Sequence, residues 1–173
     1  SVTNQDTHIT EHVLAERKGL ILAINKIDLL EKGEEMRDRI ISKLRRKFSF
    51  VPWAPVVFVS AKNKTNTYKI LELAEKIMEA RKQKIRTPEL NSLLQKVTMK
   101  HLPAGKGLKK AKFMYGTQVD INPPKFTLFF RHAKNLHFSY PRYLENKIRE
   151  ECPFSGTPIN IQIKTSVGKE KKS

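Results

Sequence analysis

Gly19-Leu20-Ile21-Leu22-Ala23-Ile24-Asn25-Lys26-Ile27-Asp28-Leu29-Leu30 decides how the first half of the chain is read. Leu20 to Ile24 is apolar without alternation, the pattern of a strand buried on both faces of a parallel sheet. It runs into Asn25, Lys26 and Asp28, so three polar side chains emerge at the strand's carboxyl end, where open α/β sheets bind ligands. The order Asn-Lys-x-Asp suits a guanine base. A carboxylate at Asp28 accepts two hydrogen bonds, from guanine N1–H and from the exocyclic amine. Adenine offers neither donor on that edge and leaves the carboxylate unpaired. The Lys26 stem can lie across the purine face, and Asn25 can hold the loop and reach N7. Taken alone, the tetrapeptide also reads as a strand entering an ordinary polar turn.

A second apolar run, Val56-Val57-Phe58-Val59, feeds directly into Ser60-Ala61-Lys62. Between the two runs, Met36, Ile40, Ile41, Leu44 and Phe48 recur at helical spacing over Glu31 to Phe48. Strand, helix and strand predict a right-handed crossover that brings Asn25–Asp28 and Ser60–Lys62 to one edge of one sheet. This arrangement resembles the last third of a Ras-like GTPase domain, an α/β fold with parallel strands. The resemblance implies that Asn25, Lys26 and Asp28 read the base. It further implies that backbone N–H groups of Ser60, Ala61 and Lys62 meet guanine O6.

At 173 residues the chain can form one domain or two small ones, and 39% hydrophobic residues suffice for a core. The net charge of +17 divides unevenly: residues 1–84 hold 17 Lys/Arg against 11 Asp/Glu (+6), and residues 85–173 hold 17 against 6 (+11). A basic second half points to a polyanionic partner, most simply nucleic acid. A soluble basic surface with no particular target is the other reading. The single Cys152 excludes an internal disulfide framework and fits a reducing compartment. No apolar run approaches the roughly 20 residues needed to cross a bilayer, and no signal-peptide h-region is visible. The lack of an initiator Met suggests a fragment.

Residues 3–17 read as a helix with Ile9, Val13 and Leu14 on one face and Gly19 as its C-cap. His8 and His12 stand at metal-capable spacing, but no third ligand accompanies them, so no metal site is assigned. Arg45-Arg46-Lys47 reads as a solvated face complementing a helix dipole, and Trp53 between Pro52 and Pro55 as a packing anchor. From Asn66 to Lys84 another helix carries Ile70, Leu73, Ala74, Ile77 and Met78. The stripe ends near Lys82–Thr87, which divides the chain into residues 1–84, residues 85–166 and a basic, disordered tail at 167–173.

The second half predicts helix, strand, strand, helix, strand: an α+β sandwich with helices on one sheet face. Thr87 as N-cap and Pro88 as N1 open a helix with Leu90, Leu93, Leu94 and Val97 inward. Ala111, Phe113 and Tyr115 alternate with Lys110 and Lys112, and Phe126, Leu128 and Phe130 follow a turn, as in an antiparallel hairpin. Ser139 is an expected N-cap for a helix to Glu151, and Ile159, Ile161 and Ile163 mark a last strand. On this reading Tyr115 lies inward, no exposed aromatic pair marks the sheet, and Lys106, Lys109, Lys110 and Lys112 point outwards together as an RNA-phosphate rim.

Gly116-Thr117-Gln118-Val119, Pro123-Pro124-x-Phe126, Phe138-Ser139-Tyr140-x-Arg142-Tyr143-Leu144-Glu145-Asn146 and Phe154-x-Gly156-Thr157-Pro158-Ile159 together resemble the C-terminal KH-like domain of the Der (EngA) double GTPases. In that family the domain follows the second GTPase module, so the resemblance covers essentially the whole chain. It implies a monomeric GTPase of bacterial-type cytoplasm, or of an organelle's matrix or stroma, with no membrane partner. It implies GTP/GDP as ligand, ribosome biogenesis as the role, and the large ribosomal subunit with its rRNA as partner. The KH-like sheet is expected to meet the family's first GTPase domain.

Two departures qualify these expectations. No Gly-x-x-x-x-Gly-Lys-Ser/Thr loop or switch segment occurs, so phosphates, Mg²⁺ and hydrolysis are expected to depend on residues upstream of Ser1, and no catalytic residue is assigned. The Gly-x-x-Gly clamp of RNA-gripping KH domains is also missing, which sets the chain apart from the related Era family. The alternative is therefore a basic RNA- or protein-binding KH-like module attached to an inactive GTPase remnant.

Overall fold

In the computed structural model, which describes residues 3–30, 34–101 and 110–166, the chain forms two compact units. The first comprises residues up to Arg81 together with Phe154–Pro158; the second comprises Lys82–Pro153 and residues from Ile159 onward. Four sequence-based expectations fall outside the described residues: the start of a helix at Glu31, the Gly105–Gly107 loop, Lys106 with Lys109, and the tail at 167–173.

The first unit begins with α1 (Asn4–Ala15), opened by a capping box. Thr3 Oγ1 accepts from the Asp6 N–H at 3.3 Å, while Asp6 Oδ2 accepts from the Thr3 N–H at 2.7 Å. Its end differs from expectation. Arg17, with φ 52°, takes the left-handed position, and the Lys18 N–H donates back to Val13 O at 3.1 Å. Gly19 is needed instead for close packing, because a Cβ there would lie 2.8 Å from Ile77.

β1 (Leu22–Ile24) and β2 (Val56–Phe58) are parallel neighbours, with Leu22 opposite Val56 and Ile24 opposite Phe58. α2 (Glu34–Lys47) connects them, burying Leu44 against Leu20, Leu22, Phe48, Val51 and Ala54. β1 is not enclosed on both faces as its apolar run suggests, since Ala23 is exposed. Among the described residues, β2 is its neighbour in a two-stranded sheet. Trp53 packs against the cluster as expected. Arg45, assigned to a solvated face, instead donates to Pro52 O at 2.9 Å and Ala54 O at 3.0 Å, holding the Trp53 turn.

α3 (Tyr68–Lys82) buries Ile77, Ala80 and Arg81, while Met78 of the predicted stripe is exposed. Arg81 is enclosed because its guanidinium donates to Arg17 O at 3.1 Å and to the Thr157 hydroxyl at 2.9 Å. Burial pulls its pKa below the ordinary value. Phe154–Pro158 joins this unit through Gly156, whose N–H donates to Trp53 O and whose C=O accepts from the Leu20 N–H. Gly156 has φ +68°, and a Cβ there would meet Ile77 at 2.3 Å, so a side chain is excluded twice over.

The second unit is α4 (Thr87–Lys100), β3 (Lys112–Asp120), β4 (Lys125–Arg131), α5 (Tyr140–Glu151) and β5 (Asn160–Thr165). β4 is central, antiparallel to β3 and parallel to β5. Leu90, Leu94, Phe126, Leu128, Phe130, Leu144 and Ile148 are fully enclosed. α4 is pinned to β3 by Asn91, whose side chain accepts from the Gly116 N–H at 2.8 Å and donates to the Gly116 C=O at 2.9 Å. Tyr140 and Tyr143 of α5 donate to His101 O and Val97 O. Ser139 sits at the N-cap position, but its hydroxyl bonds His137 Nδ1 rather than the helix.

The most consequential difference lies in β3. The pairing shifts between Phe113 and Tyr115, so Phe113 stays opposite Phe130 and Tyr115 falls opposite Phe129. A bulge breaks strict alternation at that point. Phe113 is buried, whereas Tyr115 turns outward and stacks on Phe129, with ring centroids 4.4 Å apart. The expected inward placement of Tyr115 is thereby corrected.

Candidate guanine-base site

The register of β1 on β2 carries both strands' ends to the same place. The Val59 N–H donates to Ile24 O at 2.8 Å, and the Ile27 N–H donates to Val59 O at 3.2 Å. The two loops that follow therefore start as neighbours. Lys26 bends the first loop with φ 65°, and a short 3-10 turn, Ile27–Leu29, presents Asp28.

Two side chains then stitch the loops together. Asn25 Oδ1 accepts from its neighbour's N–H, on Lys26 at 2.8 Å, and from the Ala61 N–H at 3.0 Å across the gap. The Ser60 hydroxyl donates to Asp28 Oδ1. Ser60 itself is buried, and its Oγ also accepts from the Asn63 N–H at 3.2 Å. A backbone pair between Ser60 and Thr65, 3.0 Å in both directions, closes the second loop. Asn66, left-handed at φ 58°, donates from Nδ2 to Phe58 O at 3.1 Å and anchors that loop to β2.

The hydrogen bond from Ser60 holds the Asp28 carboxyl below its ordinary pKa of 3.8, and the charges of Lys62 and Lys26 act in the same direction. Asp28 is therefore an ionised acceptor at neutral pH. With Ser60 on one oxygen, a carboxylate keeps further lone pairs for donors on a ligand. Asn25, Lys26, Asp28, Ala61 and Lys62 are all exposed, so the six residues form a solvent-facing ledge with Ser60 as its buried pivot.

The sequence reading brought these six residues to one edge but missed what the Ser60 hydroxyl does, and it missed Asn63, Thr65 and Asn66 as braces. Asn66 carried a readable signal, because asparagine is one of the few side-chain-bearing residues that enters left-handed conformation readily. Beside the ledge, a cavity of about 940 Å³ runs along β1, with Ile9, Thr10, Leu22, Asn25, Lys26 and Ile40 among its walls. Of the basic rim, Lys110 and Lys112 are described and exposed. Among the described residues, no group of three His, Cys, Asp or Glu side chains could hold a metal ion. No described helix is long and apolar enough to cross a membrane.

Residues 84–164 match the family described as the KH-domain-like domain of EngA bacterial GTPase enzymes, C-terminal. The GTPase Der of Thermomicrobium roseum is 44% identical over 161 residues, covering 92% of this chain and 35% of that protein. The GTPase Der of Alkaliphilus metalliredigens is 36% identical over 169 residues, covering 98% of this chain and 38% of that protein. For the Herpetosiphon aurantiacus GTPase Der the identity is 38% over 164 residues, covering 94% and 36%. The chain thus spans a little over a third of the length of the curated relatives it matches.

Proposed function

The chain belongs to the Der (EngA) GTPase family, and from that premise we propose that it supplies the guanine-reading end of a GTP site together with a KH-like domain that contacts ribosomal RNA. Residues 1–84 act as the C-terminal portion of the second GTPase domain, residues 85–166 as the KH-like domain and residues 167–173 as a basic tail. The observation that carries the first part is the double stitch, Asn25 to Ala61 and Ser60 to Asp28. It orients the Asp28 carboxylate while its charge is held by a hydroxyl and two lysines, which suits two N–H donors on one base edge. Lys26 then covers the purine face. N–H groups of the Ser60–Lys62 turn meet O6, the Ala61 N–H exchanging its Asn25 partner for the base.

The wider role follows the family: GTP hydrolysis in assembly of the large ribosomal subunit, in the cytoplasm or an organelle's interior, with the first GTPase domain as an intramolecular partner. Phosphates and Mg²⁺ would be held by parts of the protein outside these 173 residues, because most nucleotide affinity in such sites comes from phosphate contacts. This chain alone is accordingly expected to bind GTP weakly and not to turn it over. The test of base reading is Asp28→Asn in a full-length protein carrying this segment. Asparagine places a donor against guanine's own N–H, and a bidentate contact of this kind discriminates by roughly 1–3 kcal/mol in base-edge recognition. GTP affinity should fall and xanthosine triphosphate should gain; unchanged GTP affinity overturns the assignment.

A further inference from the structure

We propose that the outward face of the β3–β4–β5 sheet is a base-stacking platform for single-stranded RNA, centred on Tyr115 and Phe129. This rests on reading residues 85–166 as an RNA-contacting domain, and replaces phosphate contact alone with a specific way of holding bases.

The pair is placed by the bulge in β3. Continued alternation would carry Tyr115 to the helix side with Phe113; the register shift turns it to the face opposite α4 and α5. Tyr115 is 49% exposed there, stacked on the half-buried Phe129 with only 15° between the ring planes. The positions paired around it are cationic or polar, with Met114 of the bulge and the exposed Val119 as the apolar residues nearby in β3. Lys164 of β5 lies beside Phe129, so Tyr115, Phe129 and Lys164 form one row across the three strands. In the flanking row Lys112 faces Arg131, and on the other side Thr117, Thr127 and Gln162 line up. Within the three strands Lys112, Lys125, Arg131 and Lys164 stand against a single acid, Asp120, which is paired opposite Lys125.

An aromatic stack with its outer ring exposed, and with cations along one flank and at one end, matches the chemistry of a nucleic acid with free bases. Every base has a π-face, so stacking on aromatic side chains tolerates sequence, while lysine and arginine follow the backbone phosphates. A duplex keeps its bases stacked on one another and offers this face only phosphates. A protein partner would be better matched by a continuous apolar surface, whereas here cations border the rings on two sides.

Fluorescence anisotropy of the 173-residue chain with labelled 12-nucleotide oligouridine and oligoadenine, and with a 12-base-pair RNA duplex, across a salt series, tests the proposal. Tyr115→Leu should weaken single-strand binding roughly 5- to 150-fold, with duplex binding and the salt slope unchanged. Tyr115→Phe should bind like the parent, and Phe129→Leu should repeat the loss, with circular dichroism reporting that each variant is folded. Lys164→Gln should instead lower the log–log salt slope by about 0.7. Equal single-strand affinity for parent, Tyr115→Leu and Phe129→Leu, with RNA still bound through charge, would overturn the platform and leave the pair as a cross-strand brace or a protein-docking surface. No RNA binding by the parent at any salt would overturn the RNA-contacting reading itself, and the platform with it.

Discussion

Among the described residues β1 is paired on one side, by β2, and Ala23 at its centre is exposed. β4 is paired on both sides, and Phe126, Leu128 and Phe130 along it are fully enclosed. The two units consequently hold their candidate surfaces in different ways. In the second, apolar packing of two helices fixes the sheet, and the outward face is free to carry an exposed stack. In the first, the ledge at the strand ends is held by hydrogen bonds between loops. Order made from a carboxylate and a hydroxyl responds to acid, whereas the packed unit responds through a buried phenol at high pH.

The largest effect should separate the two cores. Phe126→Ala is expected to cost about 3–5 kcal/mol, while Leu22→Ala, beside an existing cavity, should fall near the ~2 kcal/mol end of such truncations. Denaturant titration with amide exchange read at β4 and at β1 measures both; equal costs would break the contrast. Next, Asn91→Ala strips both partners from the Gly116 peptide groups and should destabilise the second unit by about 1–3 kcal/mol. A loss below that range would mean α4 is seated by its leucines alone.

The pH responses should run in opposite directions. Burial, with the neighbouring Tyr143 adding to it, raises the Tyr140 phenol from 10.0 to about 12. A raised folded pKa means that the unfolded chain ionises first, so the stability linked to Tyr140 is complete below pH 10.0 and lost as pH rises towards about 12. Phenolate absorbance should show this tyrosine titrating late, and Tyr140→Phe should remove that phase. Asp28 is the reverse case: its pKa is lowered from 3.8, so its contribution is present above that value and lost as pH falls through the folded value. Ser60→Ala, the mildest change, removes the principal cause and should move the Asp28 carboxyl back up towards 3.8, as carboxyl-carbon NMR would show. A carboxyl that does not move would place the orienting contact elsewhere.

Much of this architecture was readable from residue pattern. Leu20–Ile24 and Val56–Val59, with helical spacing between them, are local periodicities, and they were enough to place Asn25–Asp28 and Ser60–Lys62 at one edge. The inward stripes Leu90–Leu94 and Phe126–Leu128–Phe130 announced the second core in the same way. Periodicity works for these elements because 3.6 and 2 residues are fixed by backbone geometry and hold wherever the chain stays regular. It failed where regularity is interrupted or where partners are remote in sequence. A bulge of one residue turned Tyr115 to the other face, and nothing in the alternation around it marks the place. Arg81 and Thr157 meet across 76 positions, and Ser60 and Asp28 across 32, so neither contact is visible to a window of local sequence. Residue pattern alone determined the elements, most of their inward faces and the place of Asn25–Asp28 at a strand's carboxyl end. Tertiary structure alone decided that Phe154–Pro158 belongs with the first unit, that a buried serine aims Asp28, and that two aromatic rings lie outward on the sheet, because each depends on which distant groups must satisfy one another once water is excluded.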